Sequence, residues 1–135
     1  MFSQMNFKWS FVLLFAAMLP STFAAAKTAP GNIAIGENVP TYLGIDLQAN
    51  DVNANDYLGK VLVVTFWASW CGPCVNELQV LENLQVAAKD NVQVIAVNIE
   101  DRDKFRSLAR GLKKLTLKLA HDYGSKASNK LGVAV

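Results

Sequence analysis

The sequence is poor in the residues that several functional classes require. It has two cysteines, one histidine and a formal net charge of only +2 among 135 residues. Two cysteines cannot build the scaffold of a small disulfide-rich secreted protein, which needs about four or more, and a single histidine, His121, leaves too few soft ligands for a Cys/His zinc site. The weak charge, without a dense Lys/Arg stripe among aromatic residues, argues against nucleic acid as a partner. We therefore expect neither a metal nor a nucleic-acid site.

The composition nevertheless supports one packed domain. Hydrophobic residues make up 52% of the chain and charged residues 18%, which is not the composition of a disordered protein. The length suits a single domain, and we find no internal repeat that would indicate a second one. We assign residues 27–135 to this domain and expect it to be a monomer.

The first 26 residues have the pattern of an export signal. One cation, Lys8, precedes an uncharged apolar stretch that Pro20 interrupts, and Ala24-Ala25-Ala26 supplies the small residues of a cleavage site. This order predicts a signal peptide over residues 1–26 and a domain that functions in the periplasm or elsewhere outside the cytoplasm. The alternative is an uncleaved N-terminal anchor, although a membrane-spanning helix needs about 20 apolar residues.

The middle of the chain has the pattern of a strand, a helix and a second strand. Residues 61–68 form a β-branched and aromatic run that is apolar on both faces, which is typical of a central strand in a covered sheet. Apolar residues then recur at helical spacing over about 73–89, and residues 92–99 form a second buried strand. A βαβ unit of this kind places its two strands parallel to each other.

The patterns on either side of this unit are weaker. Residues 27–58 are rich in Asn, Gly and Asp, which indicates loops, and they predict at most a hairpin. Towards the C-terminus, Asp101 or Asp103 is expected to cap a second helix, and residues 115–119 alternate as a half-exposed edge strand would. A short helix is expected over 125–131, closed by the glycine that follows it. The fold class predicted from these patterns is α/β.

The two cysteines lie three residues apart in the segment Trp70-Cys71-Gly72-Pro73-Cys74, at the junction of the first predicted strand and its helix. Cys71 falls at the helix N-terminus, where free backbone N–H groups and the helix dipole stabilise a thiolate, the attacking form of cysteine. Gly72 permits a tight turn, and Pro73 suits the first helical turn because its missing N–H costs nothing there. Cys74, one turn further on, can close a disulfide and is expected to be the more buried sulfur.

The spacing and placement of the cysteines predict thiol–disulfide exchange. Cys71 would attack a disulfide of a target protein, and Cys74 would then displace the reduced target and leave the pair oxidised. A separate electron donor must reset the pair, because no GxGxxG sequence indicates a nicotinamide or flavin and we expect no cofactor. A purely structural disulfide is less favoured because so short a loop restrains little chain entropy. Haem attachment would need a histidine where Val75 stands.

The stretch from Gly59 to Glu77, with the core Phe66-Trp67-Ala68-Ser69-Trp70-Cys71-Gly72-Pro73-Cys74, closely resembles the active-site segment of the TlpA/ResA-like proteins. These are extracytoplasmic members of the thioredoxin superfamily, related to the cytochrome c maturation thioredoxins. The resemblance covers about residues 33–135 and implies a thioredoxin-like fold, a central mixed sheet with flanking helices. It also implies an enzyme that reduces protein disulfides, with a membrane thiol–disulfide electron donor and a function in cytochrome c maturation.

The resemblance assigns roles to residues other than the cysteines. Proteins of this type carry a glutamate three residues after the second cysteine, which is Glu77 here, and the resemblance implies that it accepts the thiol proton of Cys74. The alternative is an ordinary surface glutamate. Thioredoxin has a buried aspartate where this chain has Thr65. Trp70 is expected to form a lip of the substrate-contact surface, whereas Trp67 is expected to pack in the core.

The resemblance ends with the last residues of the chain. Related proteins continue beyond the segment that resembles Lys130–Val135 into a cis-proline, a β-hairpin and a final helix, so we expect a domain that lacks this C-terminal hairpin and helix and leaves a sheet edge uncovered. Two other functions stay open at this point. One is a thiol peroxidase, although no threonine stands three positions before Cys71, and the other is an inactive thioredoxin-fold module that only binds a partner.

Overall fold

The structure, a computed structural model, describes residues 33–133, so the predicted signal peptide over residues 1–26 lies outside the described residues. The strands in this part of the chain are Tyr42–Ile45 (β1), Asp51–Asn53 (β2), Val61–Trp67 (β3), Val92–Asn98 (β4) and Lys118–His121 (β5). The α-helices are Gly72–Ala88 (α1), Arg102–Gly111 (α2) and Lys126–Leu131 (α3). Short 3-10 helices follow β2 and α1 and precede α3.

The strands form one mixed sheet with the spatial order β2-β1-β5-β4-β3. β4 pairs in parallel with β3 and with β5, whereas β1 pairs in the antiparallel direction with β2 and with β5. The β3–β4 register runs from Val61 opposite Val92 to Trp67 opposite Asn98. The α/β class, the parallel pair of the βαβ unit and the hairpin before it are therefore confirmed.

The predicted positions of two strands in the sheet are wrong. β3, expected at the centre, lies at one edge of the described sheet and pairs with β4 alone. The strand expected at an edge over residues 115–119 is β5, which runs over Lys118–His121 and lies between β4 and β1. An apolar run reports that both faces of a strand meet other side chains, but it does not report how many strands lie beside it.

Side chains pack on both faces of the sheet, and β4 contributes to both because successive residues point in opposite directions. Val94 and Ala96 belong to one buried cluster, with α1 and α2 packed against it, while Ile95 and Val97 belong to the other. The first cluster also contains Trp67, Leu78 and Leu117, and the second also contains Leu43, Val52 and Ala120. Trp67 is only 2% exposed, which confirms its predicted place in the core.

The second half of α1 is joined to the sheet by polar side chains. Glu82 is 8% exposed, and its Oε2 accepts hydrogen bonds from Thr116 N at 2.8 Å and Leu117 N at 3.2 Å. Gln85 Oε1 accepts from Val94 N at 2.7 Å. These bonds satisfy backbone donors next to β5 and at the start of β4, and they hold the helix at a defined height over the sheet.

The start of α2 and the end of α3 follow the capping expectations. Asp101 caps α2, since its Oδ1 accepts from Lys104 N at 2.8 Å, while Asp103 lies inside the first turn. α3 ends at Gly132, whose φ of 67° is the left-handed conformation that glycine adopts easily. Between residues 33 and 133, none of the helices has the length and apolar character needed to cross a membrane.

Candidate active site

The two cysteines lie where β3 has ended and α1 begins. Cys71 is the N-cap residue of α1 and is joined to Cys74 by a disulfide, with their Cα atoms 5.3 Å apart. A tight turn over Ala68–Cys71 connects the strand to the helix, and it is closed by Cys71 N, which donates to Ala68 O at 3.1 Å. The first bond of the helix follows directly, from Val75 N to Cys71 O at 3.1 Å.

The first turn of α1 provides an electropositive setting for sulfur. It contains no acidic residue, Pro73 occupies one of its first two positions, and no side chain makes a capping hydrogen bond to the helix end. No carboxylate within this turn therefore competes for the backbone dipoles that point at Cys71. Once the disulfide is reduced, these dipoles stabilise the thiolate form of Cys71 over the thiol.

The two cysteines have different surroundings. Cys74 packs against the buried cluster that contains Trp67 and Leu78. Cys71 is half-buried and is followed by two exposed residues of the turn, Gly72 and Pro73. Trp70, immediately before Cys71, is 72% exposed, which places a large aromatic surface beside the disulfide. Cys74 is half-buried like Cys71, so the two cysteines differ in their neighbours rather than in their class of burial.

Glu77 and Thr65 are brought together by the fold. Thr65 Oγ1 on β3 donates to Glu77 Oε2 on α1 at 3.0 Å. Glu77 lies three residues after Cys74, so the two side chains project from neighbouring positions on the same helix face. The hydrogen bond restrains the carboxylate on the side of the helix that carries Cys74. The predicted position of Glu77 is thus joined to the position at which thioredoxin has an aspartate.

Glu100 is a site residue that the sequence analysis does not single out. It lies two residues beyond the end of β4, and its carboxylate accepts from both donors of Ser69: from the backbone N–H at 2.6 Å and from Oγ at 2.7 Å. Asn98 Nδ2 donates to the same carboxylate at 3.2 Å. A signal existed in the sequence, because the carboxyl ends of parallel strands meet at one sheet edge, and β3 ends there just before Cys71.

The Glu100 carboxyl is held in its ionised form. Burial raises its pKa, but the hydrogen bonds from the backbone and hydroxyl of Ser69, the bond from Asn98 and the charge of Lys104 together outweigh burial, so that the pKa lies below its ordinary value. An ionised carboxylate can accept both Ser69 hydrogen bonds at once, whereas the protonated acid would lose part of this capacity.

His121, the last residue of β5, contacts the backbone of Glu100. Its Nε2 lies 2.7 Å from the backbone oxygen of Glu100, and because a carbonyl only accepts, Nε2 carries the proton. The imidazole stacks on Phe105 of α2 with ring centroids 5.6 Å apart. Within the described residues, no group of three or more His, Cys, Asp or Glu side chains is placed to hold a metal ion.

Comparison with known proteins agrees with this architecture. A mixed sheet flanked by helices, with a Cys-x-x-Cys disulfide at the tip of the first long helix, defines a thioredoxin-like fold. The sequence profile of the AhpC/TSA family matches residues 35–135. The chain belongs to this family.

Two curated relatives agree with the resemblance found in the sequence. The chain is 32% identical over 89 residues to the thiol-disulfide oxidoreductase ResA of Geobacillus thermodenitrificans strain NG80-2, a match that covers 65% of this chain and 51% of the relative. It is also 32% identical over 75 residues to the thioredoxin-like protein YneN of Bacillus subtilis strain 168, covering 56% of this chain and 44% of the relative. The chain thus spans about half the length of the curated relatives it matches.

Solved structures give the same result. The thioredoxin domain of a thiol-disulfide oxidoreductase from Bacteroides vulgatus superimposes with a TM-score of 0.65 at 26% identity and covers 77% of each chain. The exposed lipoprotein thioredoxin Etrx1 of Streptococcus pneumoniae strain TIGR4 gives a TM-score of 0.59 at 25% identity, covering 67% of this chain and 71% of the other. The predicted ResA-like resemblance and the predicted fold are confirmed.

Proposed function

We propose that this chain is a thiol–disulfide oxidoreductase that reduces disulfides of other proteins through Cys71 and Cys74. One observation carries the proposal: the two cysteines form a disulfide at the N-cap of a helix whose first turn contains no acidic side chain. This setting favours a thiolate on the first cysteine. The relatives' names, a thiol-disulfide oxidoreductase and a thioredoxin-like protein, support the same activity.

The reaction takes place in two exchange steps. In the first step, the Cys71 thiolate attacks one sulfur of a target disulfide, a mixed disulfide forms, and the second target sulfur leaves as a thiolate that takes up a proton. In the second step, Cys74 loses its proton and attacks Cys71 Sγ, which breaks the mixed disulfide and releases the other target sulfur. Two electrons pass from the cysteine pair to the target, and the Cys71–Cys74 disulfide remains.

Glu77 is the proposed acceptor of the Cys74 proton. Its carboxylate is restrained by Thr65 at 3.0 Å and projects from the same helix face as Cys74. Cys74 packs against apolar side chains, an environment that disfavours its thiolate. A base beside it therefore assists the second step more than the first.

The setting of the reaction is also a proposal. We place the protein outside the cytoplasm, in the periplasm or an equivalent compartment, where a membrane thiol–disulfide donor reduces the pair again. The proposed targets are disulfide-bonded proteins that present cysteines in an extended segment, apocytochrome c among them. The exposed indole of Trp70 offers such a segment an apolar contact next to Cys71.

The test uses two variants of the full chain that differ only in which sulfur is lost. The reduced wild type should reduce insulin disulfides in the presence of a thiol donor. Cys71→Ser should lower this activity by at least about a thousandfold, because a hydroxyl does not attack disulfides at neutral pH. Cys74→Ser should react once and accumulate a mixed disulfide that mass spectrometry detects. Full activity of Cys71→Ser would contradict the proposal, and so would a wild type that consumes peroxide but leaves insulin oxidised.

A further inference from the structure

The turn before Cys71 is held by a side chain from a different strand. Ser69 lies inside this turn, two residues before Cys71, and both of its donors bind the Glu100 carboxylate, at 2.6 Å from the backbone and 2.7 Å from the hydroxyl. Charge-assisted bonds of this length are among the stronger hydrogen bonds in proteins. The turn is thus restrained at a single residue next to the reactive sulfur.

Glu100 itself is fixed from several directions. Its backbone N–H donates to Asn98 Oδ1 at 3.0 Å, and Asn98 Nδ2 donates both to the Glu100 carboxylate at 3.2 Å and to Trp67 O at 3.3 Å. Its backbone oxygen accepts from His121 Nε2 at 2.7 Å. Contacts with the ends of β3, β4 and β5 therefore set the position of the carboxylate before it meets Ser69, so it can act as a rigid anchor.

The anchor also determines which side of the turn faces the solvent. Since Ser69 directs both donors towards Glu100, the next residue, Trp70, projects outwards and is 72% exposed. The turn closes through Cys71 N and Ala68 O at 3.1 Å, which leaves only Trp70 between the anchored residue and Cys71. A movement of Ser69 would be transmitted to Cys71 through one residue.

We propose that Glu100 is a positioning residue for Cys71: by holding Ser69 it keeps the sulfur at the N-terminal amides of α1 and thereby sets the pH at which Cys71 becomes reactive. This inference rests on the proposed function of Cys71 as the attacking sulfur. Glu100 does not touch the reacting atoms in this scheme. It acts through the geometry of the turn, and the stabilisation of a thiolate by a helix end falls off within about one turn.

A carboxylate near a sulfur could also act simply as a negative charge. This alternative predicts that loss of Glu100 shifts the reactivity of Cys71 in the opposite direction along the pH scale. A nearby negative charge disfavours the thiolate, so its removal would make Cys71 reactive at lower pH. Loss of the anchor would instead make Cys71 reactive only at higher pH. Charged and titratable groups near the anchor include Lys104 of α2, whose charge acts on the Glu100 carboxyl, His121 of β5, and Asp101, the next residue in the chain and the cap of α2. Glu77 of α1 is engaged by Thr65.

The experiment measures the reactivity of a single sulfur. In full-length chains that carry Cys74→Ser, the rate of reaction of Cys71 with 2,2′-dithiodipyridine is followed from about pH 4 to 10, around the ordinary thiol pKa of about 8.5. Glu100→Ala should move the midpoint of the rate profile towards that of free cysteine and slow the reaction at pH 7 by about tenfold, because a midpoint about one pH unit higher leaves about a tenth as much thiolate at a pH below it.

Three further variants separate the possible causes. Glu100→Gln removes the charge but keeps an oxygen that can accept from Ser69 N, so its midpoint should stay near the wild-type value or move to lower pH. Ser69→Ala keeps the backbone donor, so the fold is preserved and its midpoint should move in the direction of Glu100→Ala by a smaller amount. Glu82→Ala is the control. It also removes a carboxylate that accepts from two backbone N–H groups, but one that lies further along α1, away from Cys71. Its midpoint should not move.

The outcomes distinguish this inference from the proposed function. An unchanged midpoint in Glu100→Ala, or an equal shift of Glu100→Ala and Glu100→Gln to lower pH, would overturn the positioning role while Cys71 remained the attacking sulfur. If Glu100→Ala does not fold, an unchanged midpoint in Ser69→Ala would overturn it equally. If Cys71 already titrates like free cysteine in the chain that carries Cys74→Ser alone, and the wild type does not reduce insulin, the proposed function itself is wrong.

Discussion

The two halves of α1 are built for different purposes. The first half carries the disulfide and is largely exposed, as Gly72, Pro73 and Val75 are on the surface. The rest of the helix, from Leu78 onward, contains Leu78 itself, which is 1% exposed, and Glu82, whose carboxylate accepts from two backbone N–H groups near β5. A reactive helix tip can stay accessible because the rest of the helix supplies the contacts that hold it in place. Reactivity and stability are therefore assigned to different residues of one element.

The largest loss of stability is expected from a substitution of Leu78. Leu78→Ala leaves a cavity in the cluster beneath α1 and should lower the free energy of unfolding by about 2–5 kcal/mol. Val80→Ala, two residues away on the same helix, is the matched control because Val80 is 66% exposed, and it should change the value by less than about 0.5 kcal/mol. Urea unfolding of the oxidised chains measures both, and equal losses would mean that the two positions of the helix contribute alike.

Glu82 tests the same division with a polar contact. Glu82→Ala leaves the N–H groups of Thr116 and Leu117 without their acceptor and should lower the free energy of unfolding by about 1–3 kcal/mol, with unchanged exchange activity per folded molecule. Glu77→Ala should do the reverse, lowering activity with little effect on stability, because its contact with Thr65 is exposed. Parallel unfolding and insulin-reduction assays provide the comparison. A Glu82→Ala chain that is stable but inactive would contradict it.

Acid should lower the stability of the fold through the protonation of Glu100 and Asp46. The folded pKa of Glu100 lies below its ordinary value of 4.5, so its contribution to stability is complete at pH values well above 4.5 and is lost as the pH falls through the lower folded pKa. Asp46 behaves in the same way below its ordinary value of 3.8, since its hydrogen bonds and Lys118, 3.0 Å away, outweigh burial and lower its pKa.

Urea midpoints measured from pH 7 to about pH 3 test this sign. The wild type should lose stability over the acid part of the range, and Glu100→Gln, which has no carboxyl to protonate, should lose less over the same range. Identical acid slopes for the two chains would show that the Glu100 carboxylate does not stabilise the fold by its ionisation.

The smallest expected effect concerns the bond between Thr65 and Glu77. Thr65→Val removes the hydroxyl with little change in shape and should slow the second exchange step a few-fold, while the free energy of unfolding changes by less than about 1 kcal/mol. Thr65→Ser keeps the hydroxyl and should restore most of the rate. Stopped-flow decay of a preformed mixed disulfide measures the step. If the valine and serine variants decay at the same rate, the hydroxyl does not act on Glu77.

The comparison between β3 and β5 explains what the sequence pattern could predict of the sheet. β3, the βαβ unit and the helix of residues 72–88 follow from local apolar spacing, whereas the strand predicted over 115–119 shares only Lys118 and Leu119 with β5. The order of the strands does not follow from this spacing, because the partner of a strand edge is decided by backbone pairing, which leaves no trace in the side-chain pattern. β5 has four residues and lies between β1 and β4, whereas the seven-residue β3 pairs with one strand in the described chain.

The site divides in the same way. The spacing and position of Cys71 and Cys74 are a local property of a strand–turn–helix junction, and they could be predicted from the chain alone. For Glu100 the predicted parallel pairing of β3 with β4 indicates only that residues following the two strands meet at one edge; its hydrogen bonds to Ser69, 31 residues away, are seen only in the folded structure. Thr65 and Glu77 are each visible in the sequence, but their hydrogen bond depends on the packing of α1 on β3.

The amino-acid sequence by itself determined the chemistry of this protein: two sulfurs one helical turn apart, at a helix start whose dipoles favour a thiolate. The tertiary structure alone decided which side chains support that chemistry, because hydrogen bonds such as those from Ser69 to Glu100 join segments distant in the chain. Short-range spacing fixes the geometry of a single turn, whereas contacts between distant segments form only when the strands have paired in the sheet.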